Sequence, residues 1–354
     1  MSEFRVDKIT NRDGSAGTQI VGISTFSGTS GMQLPVGSTE YRGRRGRGVF
    51  AGGYTPSGSN NTMNYIEIST TGDAVDFGDL ARSGSTGSSS NSIRGVFNYG
   101  NVPNSINTMH YTVISSSGGV ADFGDLSYVT RDGPFGGGDN TRGVLGGSAG
   151  GPSNMGGSPG KGVNYIDYIT FATTGDSNDF GTLTVARRGM GACSSPTRTV
   201  FGGGYIKPQN HTKVIDVVTT QTKGDSIKFG ELTVSRGHMG CFSSSTRGCW
   251  YGGSIYPGSS YTLYNVIDFI TIASNGNATD FGDTTNAGSG LHFTTGTASN
   301  SIRGLVGGTN ASPTVLNSID YVTIATTGNA ADFGDLTASE YQKAGASDSH
   351  GGLG

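Results

Sequence analysis

An all-β propeller of six four-stranded blades, closed by its C-terminal strand and preceded by an extended N-terminal segment, is the fold this sequence predicts. Three observations lead there. Asp-Phe-Gly or a variant of it recurs with its Phe at 77, 123, 180, 229, 281 and 333, at intervals of about fifty residues. A second landmark keeps the same beat, from RGVFAGG at Arg47 through RGVFNYG at Arg94, RGVLGG at Arg142, RTVFGGG at Arg198 and RGCWYGG at Arg247 to RGLVGG at Arg303. A third lies between the two, clearest as NYIDYITFATTGD, KVIDVVTTQTKGD and NVIDFITIASNGN. Repetition of this length marks units that cannot bury their faces alone and must be covered by neighbours.

Each unit holds four strand candidates. The first precedes the arginine, as in RGMGACSSPT (188–197) and RGHMGCFSSST (236–246). The second carries the arginine and ends in a glycine pair. The third, as in Ile166-Asp167-Tyr168-Ile169-Thr170-Phe171, has apolar groups on both faces, the pattern of a strand packed on both sides. The fourth carries Asp-Phe-Gly. Turns of the TTGD type separate the last two, because Gly and Asn tolerate positive φ. The first unit starts at its second strand, near Arg47, and the tail from Tyr341 to Ser349 aligns with a first strand. A C-terminal strand paired with the N-terminal unit removes the open edge of the ring.

Composition agrees. Apolar residues make up only 33% of the 354 residues and Gly alone contributes 63, yet 15 Tyr and 16 Phe are spread through short Ile, Val and Thr runs. Disordered chains lack those residues, so many short strands joined by many turns are expected. A net charge of −3 with 14% charged residues offers no dense basic patch and argues against nucleic acid as a partner. No stretch approaches the ~20 apolar residues a membrane helix needs, and MSEFRVDKIT has no apolar signal region, so synthesis in a cytosol without membrane insertion is expected.

Asp-Phe-Gly also holds magnesium in protein kinases, but there it occurs once and is accompanied by a His-Arg-Asp loop and a strand lysine. Neither companion is present, and the fourth copy reads Lys228-Phe229-Gly230, which a metal ligand would not tolerate. The triplet therefore reads as a structural period. The Asp-x-x-Asp of these copies is sparser than calcium loops use, and turn hydrogen bonds are the expected role. A specific expectation is a set of Arg–carboxylate pairs within blades: Arg94 with Asp122, Arg142 with Asp179, Arg247 with Asp280 and Arg303 with Asp332. Arg198, facing Lys228, would turn to Asp225. Six such arginines could instead form an anion-binding ring.

Other candidates for chemistry are weaker. Two Gly-x-Ser-x-Gly stretches, around Ser148 and Ser158, sit in one glycine-rich loop with no helix behind them, so a hydrolase elbow is not expected. His110, His211, His238, His292 and His350 show no metal spacing, and no cofactor is expected. Cys193, Cys241 and Cys249 read as buried free thiols, although Cys241 and Cys249 could face each other across a hairpin. The loops between second and third strands all emerge on one face and vary most. Tyr54, Tyr99, Tyr205, Tyr256, Tyr261 and Tyr264 fall on or beside them, a composition suited to stacking on sugar rings.

The unit resembles the kelch repeat over roughly residues 45–354: a glycine pair ends the second strand, as Gly203-Gly204 or Gly252-Gly253, and an aromatic stands on the fourth, Phe180 or Phe229 where kelch usually has Trp. Arg187 and Arg236 are similar to the arginine that opens the next kelch unit. A second resemblance rests on Val6-Asp7-Lys8-Ile9-Thr10-Asn11-Arg12-Asp13-Gly14, the IDYVTIATTGNAADFGDL-type repeats and SHGGLG at 349–354. This combination looks like virion proteins of tailed phages of marine cyanobacteria. It implies a structural particle component at the tail, baseplate or fibre, hence a virion location. Residues 1–40 lie outside the repeat and are expected to attach to other virion proteins by adding strands, with 41–354 forming the propeller. Contacts between copies and a host surface glycan are further expected partners. A glycan- or receptor-binding module is the first alternative function, and an enzyme on the propeller axis the second; the main expectation is a non-enzymatic protein.

Overall fold

The computed structural model describes residues 46–84, 86–99, 106–130, 134–149, 162–206, 210–256, 258, 260–285, 296–311 and 314–354. It adds one short antiparallel pair, Phe26–Ser27 with Gly31–Met32. That pair apart, the expectations for residues 1–40 and for the loop around Ser158 lie outside the described residues.

Six four-stranded antiparallel sheets form a six-bladed propeller. In blade 1 the strands run, from the axis outward, Ala344–Ser347, Arg47–Ala51, Thr62–Glu67 and Val75–Asp79. Blade 2 holds Thr86–Ser90, Arg94–Tyr99, Ile106–Val113 and Ala121–Thr130, and blade 3 Phe135–Gly138, Arg142–Gly146, Val163–Thr170 and Asn178–Arg187. Blade 4 follows with Gly191–Ser194, Arg198–Gly202, Val214–Thr219 and Ile227–Glu231. Blade 5 has Gly240–Ser243, Arg247–Tyr251, Val266–Thr271 and Thr279–Asp283, and blade 6 Gly296–Ser299, Arg303–Ala311, Thr314–Thr323 and Ala331–Asp335. Ring closure is as expected: Ala344–Ser347 pairs antiparallel with Arg47–Ala51, Val49 opposite Ala346.

The core lies between the blades. Six apolar clusters each span two adjacent sheets; the one joining blades 4 and 5 packs Val200, Ile215 and Phe229 against Trp250 and Ile272. Glycines at the end of the second strands make room for this. A Cβ on Gly202 would stand 2.5 Å from the Trp250 indole, whose Nε1 donates to Gly191 O at 3.3 Å.

The recurring Asp-Phe-Gly explains itself at the same seams. Its Phe carbonyl accepts from a glycine N–H in the next blade's turn, in the pairs Gly118–Phe77, Gly175–Phe123, Gly224–Phe180, Gly276–Phe229, Gly328–Phe281 and Gly72–Phe333. Its own Gly lies against that turn so closely that a Cβ on Gly230 would meet Gly276 O at 2.0 Å, and one on Gly181 would meet Gly224 O at 2.3 Å. The Phe side chain is buried in the inter-blade cluster. The Asp is exposed, as Asp122, Asp179, Asp280 and Asp332 all show. In two copies it accepts a turn hydrogen bond, Asp76 from Gly78 N and Asp280 from Gly282 N, each at 3.2 Å.

Candidate functional site

The second-strand arginines take other partners than the expected carboxylates. Within each sheet the third strand lies between arginine and aspartate: Arg94 is opposite Val113, whereas Asp122 is opposite His110. The guanidinium instead reaches the next blade and donates to a backbone carbonyl. Arg94 reaches Phe171 O (2.6 Å), Arg142 Thr220 O (3.2 Å), Arg247 Ile324 O (3.1 Å) and Arg303 Ile68 O (3.3 Å). Arg47 and Arg198 do the same with Ile114 O and Ile272 O. Arg198 does not turn to Asp225, whose Oδ1 accepts from Thr182 N and Oγ1. In five blades the guanidinium also lies over a third-strand ring, 4.3–5.0 Å from its centroid: Arg47 over Tyr65, Arg94 over Tyr111, Arg142 over Tyr168, Arg247 over Phe269 and Arg303 over Tyr321. The Phe of Asp-Phe-Gly meets that ring edge-on, as in Tyr168–Phe180. Arginine, ring and Phe thus form a stack that joins one blade to the next.

Carboxylates are buried elsewhere. The third strands carry Asp167, Asp216, Asp268 and Asp320 at one equivalent position, all buried. Each accepts from the Ser or Thr that follows the previous blade's fourth-strand motif: Ser127, Thr184, Thr233 and Thr285. In blades 4 and 5 a buried arginine completes the site, Arg187–Asp216 at 3.0 Å and Arg236–Asp268 at 2.9 Å. Asp167 and Asp320 receive hydroxyl partners instead, and burial raises both carboxyls above the usual range. Blade 1 inverts the charges: Glu340 takes the arginine's place, ion-pairs with buried Lys343 and accepts from Asn60 Nδ2, while Asn64 stands where the other blades have aspartate and accepts from Thr337 Oγ1. A sequence signal for these sites existed, an Asp amid apolar residues in VID and SID, because a buried carboxylate requires a partner.

The six loop tyrosines separate into different environments. Tyr205, Tyr256 and Tyr261 gather where the loops of blades 4 and 5 meet. Arg188 lies 4.8 Å above the Tyr205 ring, His211 meets its edge at 5.0 Å, and Tyr256 and Tyr261 tilt together at 4.7 Å. Tyr261 is 43% exposed. Burial, aided by the Arg188 charge, lowers His211 to about 4, so this imidazole is neutral at ordinary pH. Tyr54 is apart from them, stacked on Tyr341 at 5.7 Å beside the ring closure. Tyr264 is half-buried and donates its N–H to Gly253 O. Tyr99 is fully buried, edge-on to His110, so it belongs to the core and not to a ligand face. The inward run of Arg94–Tyr99 explains this, since every residue after the arginine is buried.

At the axis the first strands enclose a cavity of about 90 Å³. Serine hydroxyls tie its wall from blade to blade: Ser243 Oγ donates to Ser194 O, Ser299 to Ser243 O, Ser347 to Ser299 O and Ser90 to Ser347 O. Blade 3 has Gly138 at this position and supplies no hydroxyl. There the His350 ring fills in, its Nε2 donating to Ser90 O at 2.7 Å while Nδ1 accepts from Gly352 N at 3.1 Å. The turn Gly351–Leu353 thereby packs across one end of the axis, against Ser244 and Gly138.

Cys193, Cys241 and Cys249 are free and buried. Cys241 is opposite Trp250 and Cys249 opposite Phe242, so the two do not face each other as the hairpin suggested. Burial and the neighbouring Cys193 thiol push the Cys241 thiol up, which keeps it protonated. Ser148 is buried with its Oγ donating to Ala149 O. Among the described residues no three His, Cys, Asp or Glu converge to hold a metal, and no helix is long and apolar enough to cross a membrane. No protein-family model and no curated protein matches the chain.

Proposed function

We propose that this protein is a non-enzymatic structural or accessory component of a phage particle, docked through residues 1–40 and presenting the propeller outward. One observation carries the reading. The residues that recur with the repeat and look chemical in the sequence, the arginines and the Asp-Phe-Gly triplets, are engaged in holding blade to blade. What varies between blades is the loop face, where Tyr205, Tyr256, Tyr261 and Arg188 gather. Variable loops on a rigid frame suit recognition, and the resemblance of the repeats and of the Val6–Gly14 stretch to tailed-phage virion proteins supplies the setting. Deleting residues 1–40 tests it: the shortened protein should fold with an unchanged melting temperature and be missing from purified particles. Incorporation at the wild-type level rejects the docking role.

A second reading, recognition of a host surface glycan, is favoured by exposed Tyr261 tilted against half-buried Tyr256. Glycan-array binding lost in both Tyr256→Ala and Tyr261→Ala supports it; wild-type protein silent on the array counts against it.

A further inference from the structure

The sixfold repeat provides an internal comparison that singles out blade 4. Five blades place an aromatic ring beneath the second-strand arginine; blade 4 has Val217 at that position. Arg198 keeps its contact with Ile272 O and gains a second acceptor, Asn275 Oδ1, at 3.1 Å. Val217 itself is buried in the cluster between blades 4 and 5, and beside it an open cavity of about 230 Å³ is lined by Arg198, Lys223, Ile227 and Asn275 among others. Ile227, at its edge, is 61% exposed, the largest exposure of any large apolar side chain described. Lys223 lies on the far side, its Nζ 5.7 Å from the Tyr168 ring of blade 3.

We propose that this vacancy in blade 4 is a docking site for an aromatic side chain of a partner polypeptide, which enters as the ring the blade does not supply. One face of the incoming ring lies under the Arg198 guanidinium, and its edge rests on Ile227. The guanidinium selects an aromatic over an aliphatic group, because a cation gains from the ring's negative face. The five filled blades show that this stack fits the repeat's geometry. Size selects a side chain over a free ligand: small-molecule pockets run about 300–1,000 Å³, and this one is smaller and open to solvent. The site is on the outer part of the blade, apart from the loop tyrosines, and its existence is independent of the particle assignment.

The full-length protein tests it with N-acetyl-tyrosinamide as probe and N-acetyl-leucinamide as control, by saturation-transfer NMR and titration. The tyrosine probe should bind at least fivefold more tightly than the leucine one. Val217→Tyr fills the site from within and should both abolish probe binding and raise the melting temperature. Arg198→Ala should weaken the probe at least fivefold and serves if the first variant fails to fold. Equal binding of the two probes, no binding of either, or undiminished binding to a folded Val217→Tyr or to Arg198→Ala overturns the proposal.

Discussion

Gly230 and Gly276 are the two sides of one contact, and they answer differently to the same change. A Cβ on Gly230 would enter the van der Waals shell of Gly276 O, whereas one on Gly276 would meet nothing within 4 Å. Gly230→Ala should therefore cost about 1–3 kcal/mol and Gly276→Ala no more than about 0.5–1 kcal/mol, read as shifts in urea midpoint. Asp216 offers a second contrast at this scale. Asp216→Asn leaves Thr184 an acceptor but strands the Arg187 charge in a fully buried site. A loss of about 3–5 kcal/mol is expected, with partial recovery when Arg187→Met is added. If the double variant is no more stable than the single one, the stranded charge is not the cause.

At the scale of the strand and turn, the tail across the axis is set by one imidazole. His350 donates from Nε2 and accepts at Nδ1, so only the neutral ring satisfies both contacts. Burial lowers its pKa, and the one facing carboxylate that opposes this, Asp139, is already bonded to Thr141, Arg142 and Gln221. A base whose docked pKa lies below its free value of 6.5 favours docking fully above that pH and progressively less below it. Hydrogen exchange at Gly352 and Leu353, corrected for intrinsic rate, should accelerate by up to about tenfold per pH unit below about 6.5. His350→Gln, which can donate and accept but not titrate, should remove that dependence; an equal acceleration in the variant refutes it. Strand order, blade number and ring closure were legible in the sequence, because the period and the two-faced third strand leave few other ways to bury the Phe residues. The partners of Arg94, Arg142, Arg247 and Arg303 were not. Proximity along a hairpin suggested Asp122 and its equivalents, while the actual acceptors are carbonyls of a neighbouring sheet, 77 residues away for Arg94 and 235 away for Arg303. Tyr99 misled for a related reason, since a tyrosine at a strand's end looks the same in sequence whether it enters the loop or the core.

For the whole molecule, each blade is held to its neighbours by the same set of contacts: a Phe carbonyl bond, a guanidinium clamp and an apolar cluster. Six such interfaces make the ring a closed system without end units, unlike an open solenoid that needs caps. Removing residues 344–354 should therefore do more than delete one strand. It exposes the edge of Arg47–Ala51 and the apolar face shared by blades 1 and 2, to which Ala344 and Ala346 contribute. A drop in melting temperature with concentration-dependent association, by light scattering, is the expected outcome; a monomer of unchanged stability contradicts it. The closing blade also determines how the molecule meets mechanical force. The segment before residue 46 leads straight into Arg47–Ala51, a strand hydrogen-bonded on both flanks. A pull arriving from that side loads two ladders in shear at once, instead of peeling one strand from an edge, so a tether there draws on the whole disc before any sheet opens.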